Sequence, residues 1–479
     1  MDKKSLISMF VSIAIGLIAW LMPTDAFGIQ NLTVLEQRVI AIFLFAAAMW
    51  ITEPVPIWST SVLVIVLMLL TVSTSSLAFL APGKDETLYN GVIYGEPINY
   101  KAIMAAFADP TIMLFMGGFV LAIAAAKYKM DAGLAKAMLK PFGTDSRFVL
   151  LGFILVTAIF SMFMSNTATA AMMLTILSPV LASLPADGKG RIGLALAIPI
   201  AANVGGIGSP IGTPPNAIAM GYLEKAGYEI PFGTWMALMV PIMLIILAFA
   251  WFVLVKMFPF KQKTIVVEVP GNFEKSPKAY IVYVTFIVTI LLWIFGKDLF
   301  GINANVVALI PFGVFAMTGV INKKDLQSID WDVLWLVAGG FAIGIGLDET
   351  GLGKDLVASI PLATWPTIIM MIGSGVLCIT MSTFMSNTGT AALLIPILAA
   401  AGMGMKDQLA EYGGIPALLI GIAFAASMAM SLPISTPPNA LAYAKGFIKQ
   451  KDMAIAGILV GIFGMIVGYT AFILFGSLL

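Results

Sequence analysis

Ser165, Asn166 and Thr167 interrupt the apolar run "FMSNTATAAMMLTILSP" (Phe163 to Pro179). The same triplet returns as Ser386, Asn387 and Thr388 in "FMSNTGTAALLIPILAA" (Phe384 to Ala400). Each triplet is followed by a second polar break, Thr213, Pro214, Pro215, Asn216 and Thr436, Pro437, Pro438, Asn439. Ser, Thr and Asn are the side chains that cap a helix start. Two adjacent prolines remove two backbone donors and forbid helical geometry at the residue before them. All four motifs therefore read as starts of half-helices. Four such N-termini converging in an apolar medium favour an anion, through their N–H groups and dipoles. Neither motif contains Lys or Arg. Counter-charge must come from elsewhere, and unwound carbonyls beside such breaks can hold a small hard cation, with Na⁺ the natural candidate. A proton-coupled carrier places an acid or His within the membrane. Here Glu53, Asp109, Asp332 and Asp348 are expected near span ends instead, which argues against proton coupling.

The elements that carry these motifs must lie in a bilayer. Hydrophobic residues make up 60% of the 479 and charged residues 11%, against about 25% charged in a soluble domain. Apolar runs of helical rather than strand length recur throughout. Spans are expected at about 5–22, 37–52, 56–78, 110–128, 190–222, 232–257, 276–295, 302–320, 331–347, 413–448 and 452–477. The runs at 145–183 and 363–402, broken in the middle by Ser-Asn-Thr, are expected to be re-entrant hairpins, since irregular backbone at membrane depth needs protein or a wet cavity around it. With no His and one Cys378, a disulfide framework, a Cys/His metal site and His proton relays are excluded. A net charge of +1 implies no nucleic-acid partner. The basic, apolar N-terminus reads as a retained first helix rather than a cleaved signal.

Placing the N-terminus in the cytoplasm puts all 26 basic residues on cytoplasmic segments except Arg38, Lys84, Lys101, Lys225, Lys297, Lys354 and Lys406, as the positive-inside rule asks, and leaves the C-terminus external. Trp20, Trp58, Trp235 and Trp335 fall near span ends and read as interfacial anchors. "ITEPVPIW" (Ile51 to Trp58) reads as a tight cytoplasmic turn, and Met370 and Met371 as lipid-facing or core filling. A third marker, "GGF" at Gly117 to Phe119, recurs at Gly339 to Phe341, and the three markers repeat at offsets of 222, 221 and 223 residues. Five spans separate each marker from its partner, so the chain is a duplicated unit in inverted orientation, the architecture of secondary transporters. A membrane enzyme fits less well, because no base or metal site accompanies the breaks, and a channel would show conductance rather than saturable flux. The basic connector Val255 to Lys278 joins the two copies.

Paired Ser-Asn-Thr motifs, each followed by Thr-Pro-Pro-Asn, resemble the divalent anion:sodium symporter family of INDY-type di- and tricarboxylate transporters. The resemblance covers almost the whole chain. It implies an all-α polytopic membrane protein with eleven transmembrane helices plus two re-entrant helical hairpins, a homodimer in the bacterial plasma membrane. It further implies scaffold parts at 1–130 and 261–350, the latter including the linker, and transport parts at 131–260 and 351–479 that move as an elevator. The implied activity is sodium-coupled uptake of a C4-dicarboxylate such as succinate, fumarate or malate. The alternatives are sodium-independent dicarboxylate exchange, or symport of citrate or another divalent anion such as sulfate. By resemblance the substrate contacts Ser165, Asn166, Thr167, Thr213, Pro214, Ser386, Asn387, Thr388, Thr436 and Pro437. Sodium is implied at Ser161, Ser165, Asn166 and Gly212, and at Ser382, Met385, Asn387 and Ser435, with Gly212 and Met385 acting only through backbone carbonyls.

Overall fold

The structure is a computed structural model that describes residues 3–82, 87–185, 188–267, 272–359 and 366–475. Lys84, connector residues 268–271, residues 363–365 of the second hairpin and 476–477 of the last expected span lie outside the described residues. In chain order the first copy comprises α1 (Lys3–Leu21), α2 (Val34–Thr52), α3 (Ile57–Thr71), α4 (Tyr100–Ala105), α5 (Pro110–Lys127), α6 (Met130–Leu139), α7 (Ser146–Phe163), α8 (Asn166–Ser183), α9 (Gly190–Gly206), α10 (Pro214–Lys225) and α11 (Phe232–Met257). The second copy comprises α12 (Pro277–Phe300), α13 (Ala304–Val307), α14 (Leu309–Met317), α15 (Lys323–Gln327), α16 (Trp331–Glu349), α17 (Leu352–Ser359), α18 (Thr367–Phe384), α19 (Asn387–Gly404), α20 (Lys406–Leu409), α21 (Gly414–Ser427), α22 (Pro437–Ala444) and α23 (Gln450–Phe475). Helix starts follow local chemistry. Thr33 and Glu36 form a reciprocal capping box on α2, Asp145 caps α7, and Ser276 caps α12 ahead of Pro277.

The described residues include eleven helices long and apolar enough to cross a membrane, the expected number but a different set. Four of the eleven are the arms of the two hairpins, α7, α8, α18 and α19. The expected spans at 190–222 and 413–448 are each broken into two short helices, the second starting at Pro-Pro as expected, because neither turn can stay helical. The expected span at 110–128 extends back to Tyr100. Asp109 therefore sits inside a span rather than at its end, where its side chain accepts from Thr111 N–H and lies 3.8 Å from Lys225 Nζ.

Helices α2, α3, α5, α12, α14 and α16 pack into one group, and α7 to α11 pack with α18, α19 and α21 to α23 in the other. The half-helices cross between copies, with α10 lying on α19 and α21, and α22 on α8 and α9. The described parts of the connector touch both groups. Ile265 N–H donates to Thr144 O at the start of α7, whereas Glu274 O accepts from Tyr283 of α12.

The repeated "GGF" explains how the first group packs. A Cβ on Gly117 would overlap the Ala308 carbonyl, and one on Gly339 would overlap Ser61 of α3. Small residues let helices approach closely where no hydrophobic drive separates protein from lipid. Trp235 does not anchor at the interface. It is fully buried, and its indole N–H donates to Ile207 O, a carbonyl freed where α9 ends. Met370 and Met371 are buried core residues.

Overpacking a tight crossing costs about 1–3 kcal/mol. Gly117→Val and Gly339→Val are thus each expected to lower the thermal unfolding midpoint of the purified protein by several degrees. Gly313→Val, where an added Cβ meets nothing within 4 Å, is the control. Equal midpoints for all three would contradict the close-crossing role.

Candidate functional site

Each hairpin tip is built by a cap. Ser165 Oγ accepts from Ala168 N–H at 3.2 Å and Ser386 Oγ from Gly389 N–H at 3.0 Å. The next N–H, on Thr169 or Thr390, donates to the backbone carbonyl of the capping serine. Among the described residues, the N–H groups of Asn166, Thr167, Asn387 and Thr388 have no partner, which leaves two donors at each tip for an anion. The Pro-Pro turns differ. Prolines occupy the first two helical positions, and the third N–H is already bonded, Asn216 to Thr213 O and Asn439 to Thr436 Oγ1. They contribute a dipole and a hydroxyl but no free N–H. The expectation of four donor-bearing N-termini is therefore corrected to two. Thr213, expected as a cap, makes no side-chain cap bond, whereas Thr436 does.

The asparagine ending each Thr-Pro-Pro-Asn motif closes the break. Asn216 Nδ2 donates to the Gly206 and Ser209 carbonyls at 3.1 and 2.8 Å, and Asn439 Nδ2 to Met430 and Leu432 at 2.7 and 2.9 Å. A hydroxyl then ties each break to the neighbouring hairpin. Ser209 Oγ donates to Met162 O, and Ser435 Oγ to Thr383 O.

Behind each tip stands a cluster of oxygens. Ser161 Oγ lies 2.6 Å from Asn166 Oδ1 and 2.7 Å from Ala202 O. Ser382 Oγ lies 2.7 Å from Asn387 Oδ1 and 3.1 Å from Ala426 O. In the first cluster the same Asn166 atom is also 3.0 Å from Gly212 O. One hydroxyl proton cannot satisfy so many acceptors. Turning the Asn166 amide would place its nitrogen against all three neighbours. A cation would instead hold the oxygen inward, and which orientation holds depends on that cation. Hard oxygens of this kind suit Na⁺. Ser435 Oγ gives its proton to Thr383 O and accepts from Leu432 N–H, which leaves one hydroxyl lone pair besides its carbonyl to offer an ion, whereas Gly212 has only its carbonyl.

All these breaks open on one cavity of about 390 Å³. Its lining includes Ser165, Asn166, Thr167, Gly212, Thr213, Pro214, Ser386, Asn387, Thr388, Ser435, Thr436 and Pro437. Ser161, Ser382 and Met385 lie behind it and are buried. Among the described residues lining the cavity there is no Lys or Arg.

Residues 3–479 match the family described as the sodium:sulfate symporter transmembrane region. The chain belongs to the divalent anion:sodium symporter family. It is a transporter, not an enzyme. An uncharacterized transporter of Haemophilus influenzae is 35% identical, covering 77% of this chain and 82% of that one. The sodium-dependent dicarboxylate transporter SdcS of Staphylococcus aureus strain USA300 is 29% identical over 95% of this chain and 89% of its own. The SdcS of Staphylococcus saprophyticus is 28% identical over 97% and 91%. The crystal structure of the YdaH transporter of Alcanivorax borkumensis is similar in fold, at a TM-score of 0.55 with 12% identity, covering 86% of this chain and 96% of that one.

In this transporter the cavity also takes Phe119 of the first "GGF" and residues that the motifs did not signal, Pro56, Ile57, Trp58, Phe115, Asn203, Asp330 and Asp332. "ITEPVPIW" is thus part of the cavity wall. Partial burial of the Glu53 carboxyl, within this turn, holds its pKa above the usual carboxylate range, and the nearby Ser386 backbone N–H offsets part of that. The Ala202 and Ala426 carbonyls were also missed, since no side chain marks them. Their only signal is an offset close to that of the repeat.

Helices α3 and α16 begin at the cavity's mouth, where Asp330 and Asp332 set a negative field. Burial first, then the neighbouring Asp332, raises the Asp330 carboxyl above its ordinary value. Such a field slows an approaching anion, and salt screens it. Replacing both aspartates by Asn is expected to raise the anion association rate severalfold at low ionic strength and to leave it unchanged near 1 M salt. Stopped-flow fluorescence checks this, and an unchanged rate at low salt would contradict it.

Proposed function

We propose that this chain carries a C4-dicarboxylate such as succinate, fumarate or malate across a bacterial plasma membrane together with Na⁺. The observation that supports this most is the meeting of two donor-bearing hairpin tips and two Pro-Pro turns on one cavity without a basic side chain, with an oxygen cluster behind each tip. A dianion there meets N–H groups, hydroxyls and amides. These bind it, but they do not neutralise it. Na⁺ at the two oxygen clusters supplies the missing charge. Opposite charges about 4 Å apart attract by about 4 kcal/mol at an effective dielectric near 20, roughly a thousandfold in affinity. Neither ion then binds well alone, and that linkage couples their transport. The relatives named as sodium-dependent dicarboxylate transporters favour this reading over sodium-independent exchange or sulfate symport.

The site moves, in this reading, with α7 to α11 and α18 to α23, while the group around α2, α3, α5 and α16 stays fixed and joins two protomers. The cavity opens where α3 and α16 begin, the end that the lysine distribution assigns to the cytoplasm, which in this reading makes the state inward-facing.

Protein in proteoliposomes is expected to accumulate labelled succinate under an inward Na⁺ gradient and to fail with K⁺ in its place. Equal uptake in K⁺ would refute coupling, and uptake driven by internal dicarboxylate instead would identify exchange. Asn166→Asp and Asn387→Asp keep the oxygen ligand but set a like charge beside the anion. Each is expected to abolish uptake in folded protein while Na⁺ binding persists. Near-normal succinate affinity in either variant would reduce that asparagine to a structural part of the tip.

A further inference from the structure

Asn203, on α9, is a polar residue of the cavity wall that no motif contains, and it is 1% exposed. Its Nδ2 donates across the boundary between the two copies, to Thr436 Oγ1 and to Asn439 Oδ1, both at 3.1 Å. The orientation of this amide is fixed. Asn439 already gives its own Nδ2 to two carbonyls, so its Oδ1 must face a donor, and Asn203 must present nitrogen.

The consequence falls on Thr436. Its hydroxyl oxygen accepts from Asn203 Nδ2 and, at 3.3 Å, from Asn439 N–H. A hydroxyl has two acceptor lone pairs and one proton. With both lone pairs engaged, and no acceptor for the proton among the described residues, Thr436 can serve the cavity only as a donor. The first copy lacks this arrangement. Ala202 and Ala426 occupy equivalent places in the two clusters, so the counterpart of Asn203 is Ser427, whose hydroxyl donates to Ala423 O within its own helix. Thr213 makes no cap bond, and Asn216 Oδ1 is buried without a partner.

We propose that Asn203 is a positioning residue for the transported anion, orienting the Thr436 hydroxyl of the other copy as a committed donor and making the two Pro-Pro turns inequivalent. This rests on the cavity being the anion site, so the wild type is measured first. Absence of succinate binding there would sink that reading and not this one.

The test is a double-mutant cycle on purified protein, titrating succinate in saturating Na⁺. Losing a hydrogen bond to a charged group weakens binding by roughly ten- to a hundredfold. Thr436→Val is expected to do so, and Thr436→Ser to restore affinity. Asn203→Ala should weaken binding by a similar factor in the wild-type background and by little in the Thr436→Val background, with Na⁺ affinity in the absence of succinate unchanged. Thr213→Val should weaken binding less than Thr436→Val. Should Asn203→Ala fail to fold, Asn203→Leu, of similar size and uncharged, carries the same cycle, because it removes the Nδ2 donor without adding charge beside the anion. Additive losses, or equal losses from Thr213→Val and Thr436→Val, would overturn the proposal.

Discussion

A helix that stops inside an apolar medium leaves backbone donors and acceptors that must find partners, at a cost of several kcal/mol each when they do not. This chain stops four helices that way. The break residues are best understood by which orphan group they satisfy. In Thr-Pro-Pro-Asn the prolines end one helix without leaving free donors, and the asparagine gathers the carbonyls that the preceding helix abandons. In Ser-Asn-Thr the serine caps the third N–H and leaves the first two open. What remains unsatisfied after these repairs is what the proposed site is built from: N–H groups at the hairpin tips, and oxygens clustered behind them.

The inverted repeat gives two copies of this solution, and its exceptions carry information. Both hairpins receive a hydroxyl on the corresponding carbonyl, yet it comes from Ser209 in one copy and from Ser435 in the other, which are not equivalent positions. The bond is retained while its donor moves, so what matters is the tie between break and hairpin rather than a particular residue. Equally, α10 and α22 each pack against the opposite copy, so neither copy can form the cavity alone. At the far end of α10, Lys225 lies over the Phe341 ring at 4.4 Å and beside Asp109, while the Tyr222 hydroxyl donates to Gly340 O. These contacts hold the two helix groups together on the side away from the mouth.

Much of this was legible in the sequence because breaks in apolar helices are chemically conspicuous. Proline pairs, capping triplets and a constant offset located every half-helix start and nearly every cavity-facing motif residue. What was not legible depends on tertiary neighbours. The Ala202 and Ala426 carbonyls have no side-chain signature, and Asn203 looks like any small polar residue until α22 lies against it. Trp235 stands where an interfacial anchor belongs, and only the broken end of α9 explains its burial. The turn at Ile51 to Trp58 matches no binding motif and enters the cavity because α3 and α16 begin side by side. Asp109 was misplaced because the polar stretch before it hides a helix start.

Na⁺ and a dianion completing one another's site is the property from which transport would follow. It is tested most directly by isothermal titration of the purified protein with succinate at a series of Na⁺ concentrations, with K⁺ holding ionic strength constant. Linkage requires that succinate affinity rise with Na⁺ as steeply as Na⁺ is taken up. At least about a tenfold gain per tenfold Na⁺ below saturation, with no measurable binding in K⁺ alone, is the predicted result. The same succinate affinity in Na⁺ and in K⁺ would contradict it.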